Sequence, residues 1–392
     1  MLKKVYLPAL LVLLVYPPIL GFFAYLYISN FGFGLYEALL IVFSYYMVNI
    51  TIGVGLHRCW AHGAFVPNKV VEFILILFSC FALQGPILKW VSDHVRHHSY
   101  TDTDRDPHSP LKFGGGLKGF FWSHIGWMLT KSPLDIDRAT VKKFSRNKLV
   151  MMQFKYYWQI VLFFNTIVPF VIGVACTGTF VGGIAGFIFL GIGRAVQQHA
   201  TFCINSMTHY FGTKDYDKNS TAGDIAWMAP FLLGENWHNF HHAFPSDYRN
   251  GPKWYHFDVH KWIIWTLAKL GLARDLKCTS DVRIIAQRKS VLHNSFKNIS
   301  ERWSDLQKRF HSEGKLAINS VNKTTEEIKG YTSSAFKKYN KDLADLSLRI
   351  KLLIDSEDLS KRLINEFSSL LSSFEYNLNK IEKEIFSTRG IV

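Results

Sequence analysis

Two pairs of apolar runs set the frame of this 392-residue chain. Residues 5–28 and 35–54 are joined by the uncharged stretch 29–34, and residues 156–176 and 180–200 by Thr177-Gly178-Thr179. Each run has roughly the 20 residues that an α-helix needs to cross a bilayer core. A bilayer leaves backbone polar groups no partner but each other, so such runs are helices. The N-terminal run is too long for a signal-peptide core and has no small-residue cleavage site, so it reads as a span. Pro17-Pro18 should kink or split it.

The chain is 48% apolar and 15% aromatic, yet 19% charged, which suits membrane spans alternating with polar segments. Its formal net charge is +15. Lys and Arg are missing from 29–34 and 177–179 and lie at the N-terminus, in 58–155 and beyond Arg194. The positive-inside rule then puts both termini and the long polar segments in the cytoplasm. No nucleic-acid recognition module accompanies the charge. The five cysteines are scattered, form no CxxC pair, and read as buried thiols in a reducing compartment.

The polar segments carry eight histidines in three short clusters: His57 and His62; His94, His97 and His98; His238, His241 and His242. The second and third share the spacing i, i+3, i+4, which on a helix puts all three rings on one face, able to converge on one point. Neutral imidazole is a transition-metal ligand. A structural zinc needs four ligands and a catalytic zinc three, so eight exceed one ion's needs. Two zinc ions fit the count; two irons fit it and suit oxygen chemistry. Residues 70–88 are also apolar, interrupted by Gly85-Pro86. A full span there would send the first two clusters to opposite faces, so a surface or re-entrant helix is expected. His209 and Asn205, four apart after the fourth run, share a helix face; Asn205 could hold a metal-bound water, or both could cap the helix. A metal centre among apolar runs points to an apolar substrate, with desaturation and hydroxylation both open.

At His57-Arg-Cys-Trp-Ala-His62, Gln84-Gly-Pro, Trp90, Asp93-His-Val-Arg-His-His98, Thr101-Asp-Thr-Asp-Arg-Asp-Pro-His108, Ser123-His-Ile-Gly-Trp127, Asn205-Ser-Met-Thr-His209 and Gly234-Glu-Asn-Trp-His-Asn-Phe-His-His242, the chain resembles the membrane-bound Δ9 acyl desaturases. These are the stearoyl-CoA desaturase group and its bacterial relatives. The resemblance covers about residues 5–275 in order and spacing. It implies an all-α membrane protein with four spans and a cytosolic helical cap (57–155 and 205–280). It implies two irons held by His57, His62, His94, His97, His98, His209, His238, His241 and His242, with Asn205 binding through water. It implies the O2-dependent formation of a cis double bond in a saturated acyl-CoA or acyl-lipid. A fatty acyl hydroxylase using the same centre is the alternative.

The resemblance also implies a bent acyl tunnel, with Gln84, Trp90 and Thr201 at the matching positions. Tunnel length would be set on the second span, where Tyr45 could cap it. The acidic-basic rim that grips a CoA head maps to Asp93, with Lys131 as a basic contact. The chain departs from the animal enzymes in having Ser92 where they carry Arg, and Gly85 where they carry Asn, which puts CoA as carrier in question. No His-Pro-Gly-Gly haem motif occurs, so a separate ferredoxin, rubredoxin or cytochrome b5-like donor is implied.

From about Asp281 the aromatic density falls. Leu343, Leu346 and Ile350, then Phe367, Leu370, Leu371 and Phe374, recur at helical steps. Residues 281–392 therefore read as a charged helical or coiled-coil-like extension to a membrane domain of 1–280. It serves either for oligomerisation and partner binding or as a solvated appendage.

Overall fold

The computed structural model describes residues 5–130, 136–317, 324–355 and 361–387. The protein is α-helical, with one two-residue sheet pairing Val66–Pro67 antiparallel to Ala273–Arg274. It divides into two compact units, Met1–Cys278 and Thr279–Val392.

Among the described residues of the first unit four helices are long and apolar enough to cross a membrane: Leu7–Phe31, Leu35–Ala61, Tyr157–Thr177 and Phe180–His209. The first is continuous. Its turn Leu11–Val15 winds as a π-helix, and Pro17 and Pro18 open the α-helix that follows, where a missing N–H costs least. The two tight turns meet at one end of the bundle. There Tyr36 Oη donates to Gly173 O at 3.4 Å and Gly182 O at 3.5 Å. The second and fourth spans pack backbone against backbone. A Cβ on Gly193 would stand 2.2 Å from Ile41 O, and the Ser44 hydroxyl donates to Leu190 O at 2.6 Å. Arg194, buried in the fourth span, is held by Asn165 Oδ1 and by the rings of Tyr16 (5.1 Å) and Phe81 (5.7 Å). A charge at that depth requires such partners.

The apolar run 70–88 is the helix Lys69–Phe81 followed by a break. At 13 residues it is too short to span. It buries Val71, Leu75 and Ile76 while Val70, Phe73 and Ile74 stay exposed, so it lies along the bundle. Gly85, at φ +96°, turns the chain into the helix Ile87–Tyr100. The second and fourth spans run on past their apolar segments, to Ala61 and His209. Their ends bring the first histidine cluster and His209 out on the face opposite the tight turns. The expectation for the thiols holds only in part: Cys59 and Cys80 are buried, Cys203 is half-buried, and Cys176 and Cys278 are exposed.

Among its described residues the second unit has three helices, Asp281–Ala317, Thr324–Asp355 and Lys361–Ser387. Ile285, Leu292, Ile299 and Leu306 repeat every seven residues on the first of them. They pack with Trp303, Tyr339, Leu346, Ile350, Ile364, Phe367, Leu371 and Leu378.

Candidate metal centre

Residues 51–61 continue the second span as π-helix, and all eleven are buried. In this winding the N–H of His62 bonds to the carbonyl of His57 at 3.1 Å. An i, i+5 pair would diverge on an α-helix, but one π-turn stacks it, and the two rings lie 4.8 Å apart. The second cluster closes the helix Ile87–Tyr100 and the third forms the helix His238–Ala243. Asp224 sets the start of that last helix, accepting from the N–H groups of Asn239 (2.7 Å) and Phe240 (3.4 Å).

The expectation that each i, i+3, i+4 triplet meets at one point is corrected by the structure. One group comprises His57, His62, His94, His98 and His241; a second comprises His97, His209, His238 and His242. Each triplet gives its i, i+4 pair to one group and its i+3 ring to the other. The reason is the helical screw: successive side chains are about 100° apart, so neighbours at i+3 and i+4 aim at different points. The two boxes thereby exchange one ring each, which ties the groups into one centre.

Within both groups Nε2 atoms face one another. His57 and His98 each lie 2.9 Å from His241, and His62 lies 2.8 Å from His94. His209 and His242 each lie 3.1 Å from His238, and His97 lies 3.3 Å from His242. Burial, reinforced by neighbouring imidazoles, holds His62, His94, His98, His238, His241 and His242 well below the usual histidine range. These rings are neutral at pH 7, with lone pairs converging on common points. A cation at each point satisfies them, so the donor set fits two transition-metal ions.

Other residues aim the rings from behind. Glu235 Oε2 lies 2.7 Å from Nδ1 of His57, and its Oε1 lies 2.9 Å from Nδ1 of His260 and 3.0 Å from the Arg58 guanidinium. Burial would raise the Glu235 carboxyl, but His57 and Arg58 outweigh it and hold it well below the usual range. Asp106 lies 3.0 Å from Nδ1 of His97. Burial works against its charge too, yet His97 and His108 bring it to about 2. Thr221 Oγ1 lies 2.7 Å from Nδ1 of His209 and donates to Asp102 at 2.5 Å. Such contacts fix ring orientation. Sequence reasoning missed Glu235, Asp106, Asp102, Thr221 and His260. The only available signal was that Glu235, Asp102 and Asp106 lie within or beside the histidine motifs.

A cavity of about 360 Å³ reaches His94 of the first group and Asn205, one turn before His209 of the second. Gln84, Trp90, Asp93 and Thr201 also line it. Trp90 stacks on His94 at 4.8 Å and donates to Gln84 Oε1 at 3.3 Å. Tyr45 is not among the lining residues of this cavity, and its hydroxyl donates to Phe231 O at 2.8 Å. Lys131 lies outside the described residues.

Residues 36–277 match the fatty acid desaturase family model. The chain belongs to the fatty acid desaturase family. It is similar to a probable acyl-CoA desaturase of Schizosaccharomyces pombe, with 35% identity over 67% of this chain and 52% of the relative. It is similar to acyl-CoA desaturase 1 of Saccharomyces cerevisiae, with 37% identity over 60% of this chain and 45% of the relative. It is also similar to delta-9 acyl-lipid desaturase 2 of Arabidopsis thaliana, with 33% identity over 63% of this chain and 77% of the relative. The chain thus spans about half the length of the two yeast proteins. In this desaturase-family chain the matched region contains both histidine groups and most of the residues lining the cavity.

Proposed function

We propose that this chain is a membrane fatty acyl desaturase with a di-iron centre, forming a cis double bond at the Δ9 position of a saturated acyl chain. The observation that carries the reading is the pair of convergent imidazole groups beside a cavity lined by apolar and aromatic side chains. His57, His62, His94, His98 and His241 would hold one iron. His97, His209, His238 and His242 would hold the other, with Asn205 binding through water. Iron bound there supplies the redox chemistry that lets O2 oxidise an unactivated C–H bond, which redox-inert zinc cannot do. Two C–H bonds break and one C=C bond forms. The acyl chain gives up two electrons, an external donor gives two more, and O2 with the released and added protons leaves as water. The donor is a separate ferredoxin, rubredoxin or cytochrome b5-like protein.

The chain's own residues do three things. Trp90 and Gln84 wall the acyl chain against His94. Asp106, Glu235 and Thr221 keep three ligand rings turned with Nε2 inward. The buried surround keeps the rings neutral. The basic polar segments support a cytoplasmic position for the centre and both termini.

The reading is tested by expression in a desaturase-deficient host, with double bonds mapped by mass spectrometry. A Δ9 alkene supports it, with about two irons per purified chain. An alcohol product assigns the hydroxylase reaction instead, and an unmodified lipid pool with full iron loading excludes both.

A further inference from the structure

Between the fourth span and the third histidine cluster, residues 225–234 carry no charge, hydroxyl or amide on any side chain. An apolar run this short cannot span; it is either a core segment or one that dips into a bilayer. Its two faces differ. Ile225, Met228 and Leu232 turn inward against Cys203, Ile204 and Met207 of the fourth span, whereas Trp227 and Phe231 are 65% and 52% exposed.

Three side chains of the second span hold the backbone of this turn and give its depth. Tyr45 Oη and Asn49 Nδ2 both donate to Phe231 O, at 2.8 and 2.7 Å, and Tyr46 Oη donates to Pro230 O at 3.3 Å. The second span leaves its tight turn at Leu35. At 1.5 Å per residue, Asn49 stands about 21 Å along it. The bilayer core is about 30 Å thick, so Phe231 O lies roughly 10 Å inside the edge on the histidine side. Phe43, one turn from Tyr46 on the same helix face, is exposed there too. Lipid offers a backbone carbonyl no partner, so irregular backbone persists at such depth only where protein satisfies it. Both lone pairs of Phe231 O are used, and Pro230 has no N–H to strand.

We propose that residues 226–233 form a re-entrant turn seated in the hydrocarbon of the leaflet on the histidine side. Trp227 and Phe231 touch acyl chains there, and this seat holds the third histidine cluster in place. The connection is short. The turn closes at Leu233, φ +52°, whose carbonyl accepts the N–H of His260 at 3.3 Å. Glu235, which contacts His57 and His260, and His238 of the second group follow directly in the chain. The proposal rests on the four spans crossing a membrane and does not depend on which reaction the centre performs.

The test uses the full-length, metal-loaded protein in phosphatidylcholine nanodiscs. The photo-crosslinker benzoylphenylalanine is placed at position 227 or 231, and at position 43 as the reference for lipid contact. After irradiation, intact-protein mass spectrometry should show one-lipid adducts at 227 and 231 as at 43, with the new bond on an acyl chain. Adducts confined to the headgroup, to a second copy of this chain or to another protein overturn the seat, and so does the absence of any lipid adduct. A Trp227→Lys, Phe231→Lys double variant should lose metal to a chelator about tenfold faster than wild type. A Trp227→Leu, Phe231→Leu double variant, which stays apolar, should lose it at the wild-type rate. Wild-type retention in the lysine pair, or equal acceleration in both pairs, overturns the link between the seat and the centre.

Discussion

Glu235 spans two buried histidines, one carboxylate oxygen 2.7 Å from Nδ1 of His57 and the other 2.9 Å from Nδ1 of His260. His57 is a member of the five-ring group; His260 stands 203 positions later, in no cluster. Arg58, 1% exposed, closes the network through Glu235 and through Asp258 at 3.0 Å. One carboxylate therefore aims a ligand ring and neutralises a buried cation.

Replacing Glu235 with Gln keeps the shape but removes the charge. His57 loses its acceptor at full strength, and Arg58 keeps only Asp258 as a charged partner. Metal retention in E235Q should fall roughly 10- to 100-fold, as for other residues that orient a ligand from behind. Thermal stability should fall with it, because a buried charge is left partly uncompensated. Metal per chain by mass spectrometry, followed through chelator challenge, checks the first; the thermal midpoint in detergent checks the second.

The exchange of rings between the boxes makes a specific demand on double variants. His94 and His241 come from different boxes but one group; His94 and His242 come from different groups. With one ion per group, as proposed, each single Ala variant should lose turnover and about half the metal. The H94A, H241A pair should keep about that same half, whereas H94A, H242A should lose nearly all of it. If both pairs retain equal metal, the division into two groups is wrong.

Much of this was legible in the sequence, because apolar run length and histidine spacing are local signals. The four spans, the short helix after residue 69 and the eight box histidines follow from them. Which ring serves which group does not. His97 and His98 are adjacent, yet the helical screw sends them to different points. His57 and His62 meet because a π-helical stretch continues the second span, and side-chain spacing does not announce that winding. Glu235, Asp106 and His260 act through contacts made by the fold. That Tyr45 could cap the tunnel is an expectation from resemblance alone; its hydroxyl bonds the backbone at Phe231. In the tail, polar residues between Ile285, Leu292 and Ile299 concealed a third helix behind the two stronger patterns.

A close approach yields a test far from the ligands in sequence. A Cβ on Gly53 would stand 2.1 Å from the His260 ring. Ala at this position must push that ring, and with it Glu235 and His57. G53A should lower stability by about 1–3 kcal/mol, the usual cost of overpacking a closed site, and should reduce metal content as E235Q does. Adding H260A should restore part of the thermal midpoint by vacating the space. No recovery would mean that Gly53 matters for something other than His260.

The second unit can be perturbed separately. Trp303 is 2% exposed, packs with its ring tilted 37° to that of Tyr339 at 4.3 Å, and donates to Asn340 Oδ1 at 2.6 Å. W303A should cost that unit about 3–5 kcal/mol. In the full chain, limited proteolysis should then cut within 279–392 while metal content stays at the wild-type level. Loss of metal together with the tail would show that the two units depend on each other.

Acid should disassemble the centre, and the direction follows from the buried rings. His62, His94, His98, His238, His241 and His242 are held below 6.5, by burial first and by neighbouring imidazoles next. A folded value below the unfolded one gives stability that is complete above pH 6.5 and lost as pH falls, because unfolding then takes up protons. Each such ring contributes at most about 1.4 kcal/mol per pH unit below that point. Asp224, pushed up by burial to about 7, works the other way, as one carboxyl against six rings. Asp106, at about 2, stays ionised throughout and adds nothing. Protons also compete with metal for Nε2, so release runs in the same direction. Metal content and thermal midpoint should be level above about pH 7 and fall together below about pH 6.5, more steeply than one titrating group allows. A midpoint unchanged down to about pH 5 would mean that these rings are not held neutral by the fold.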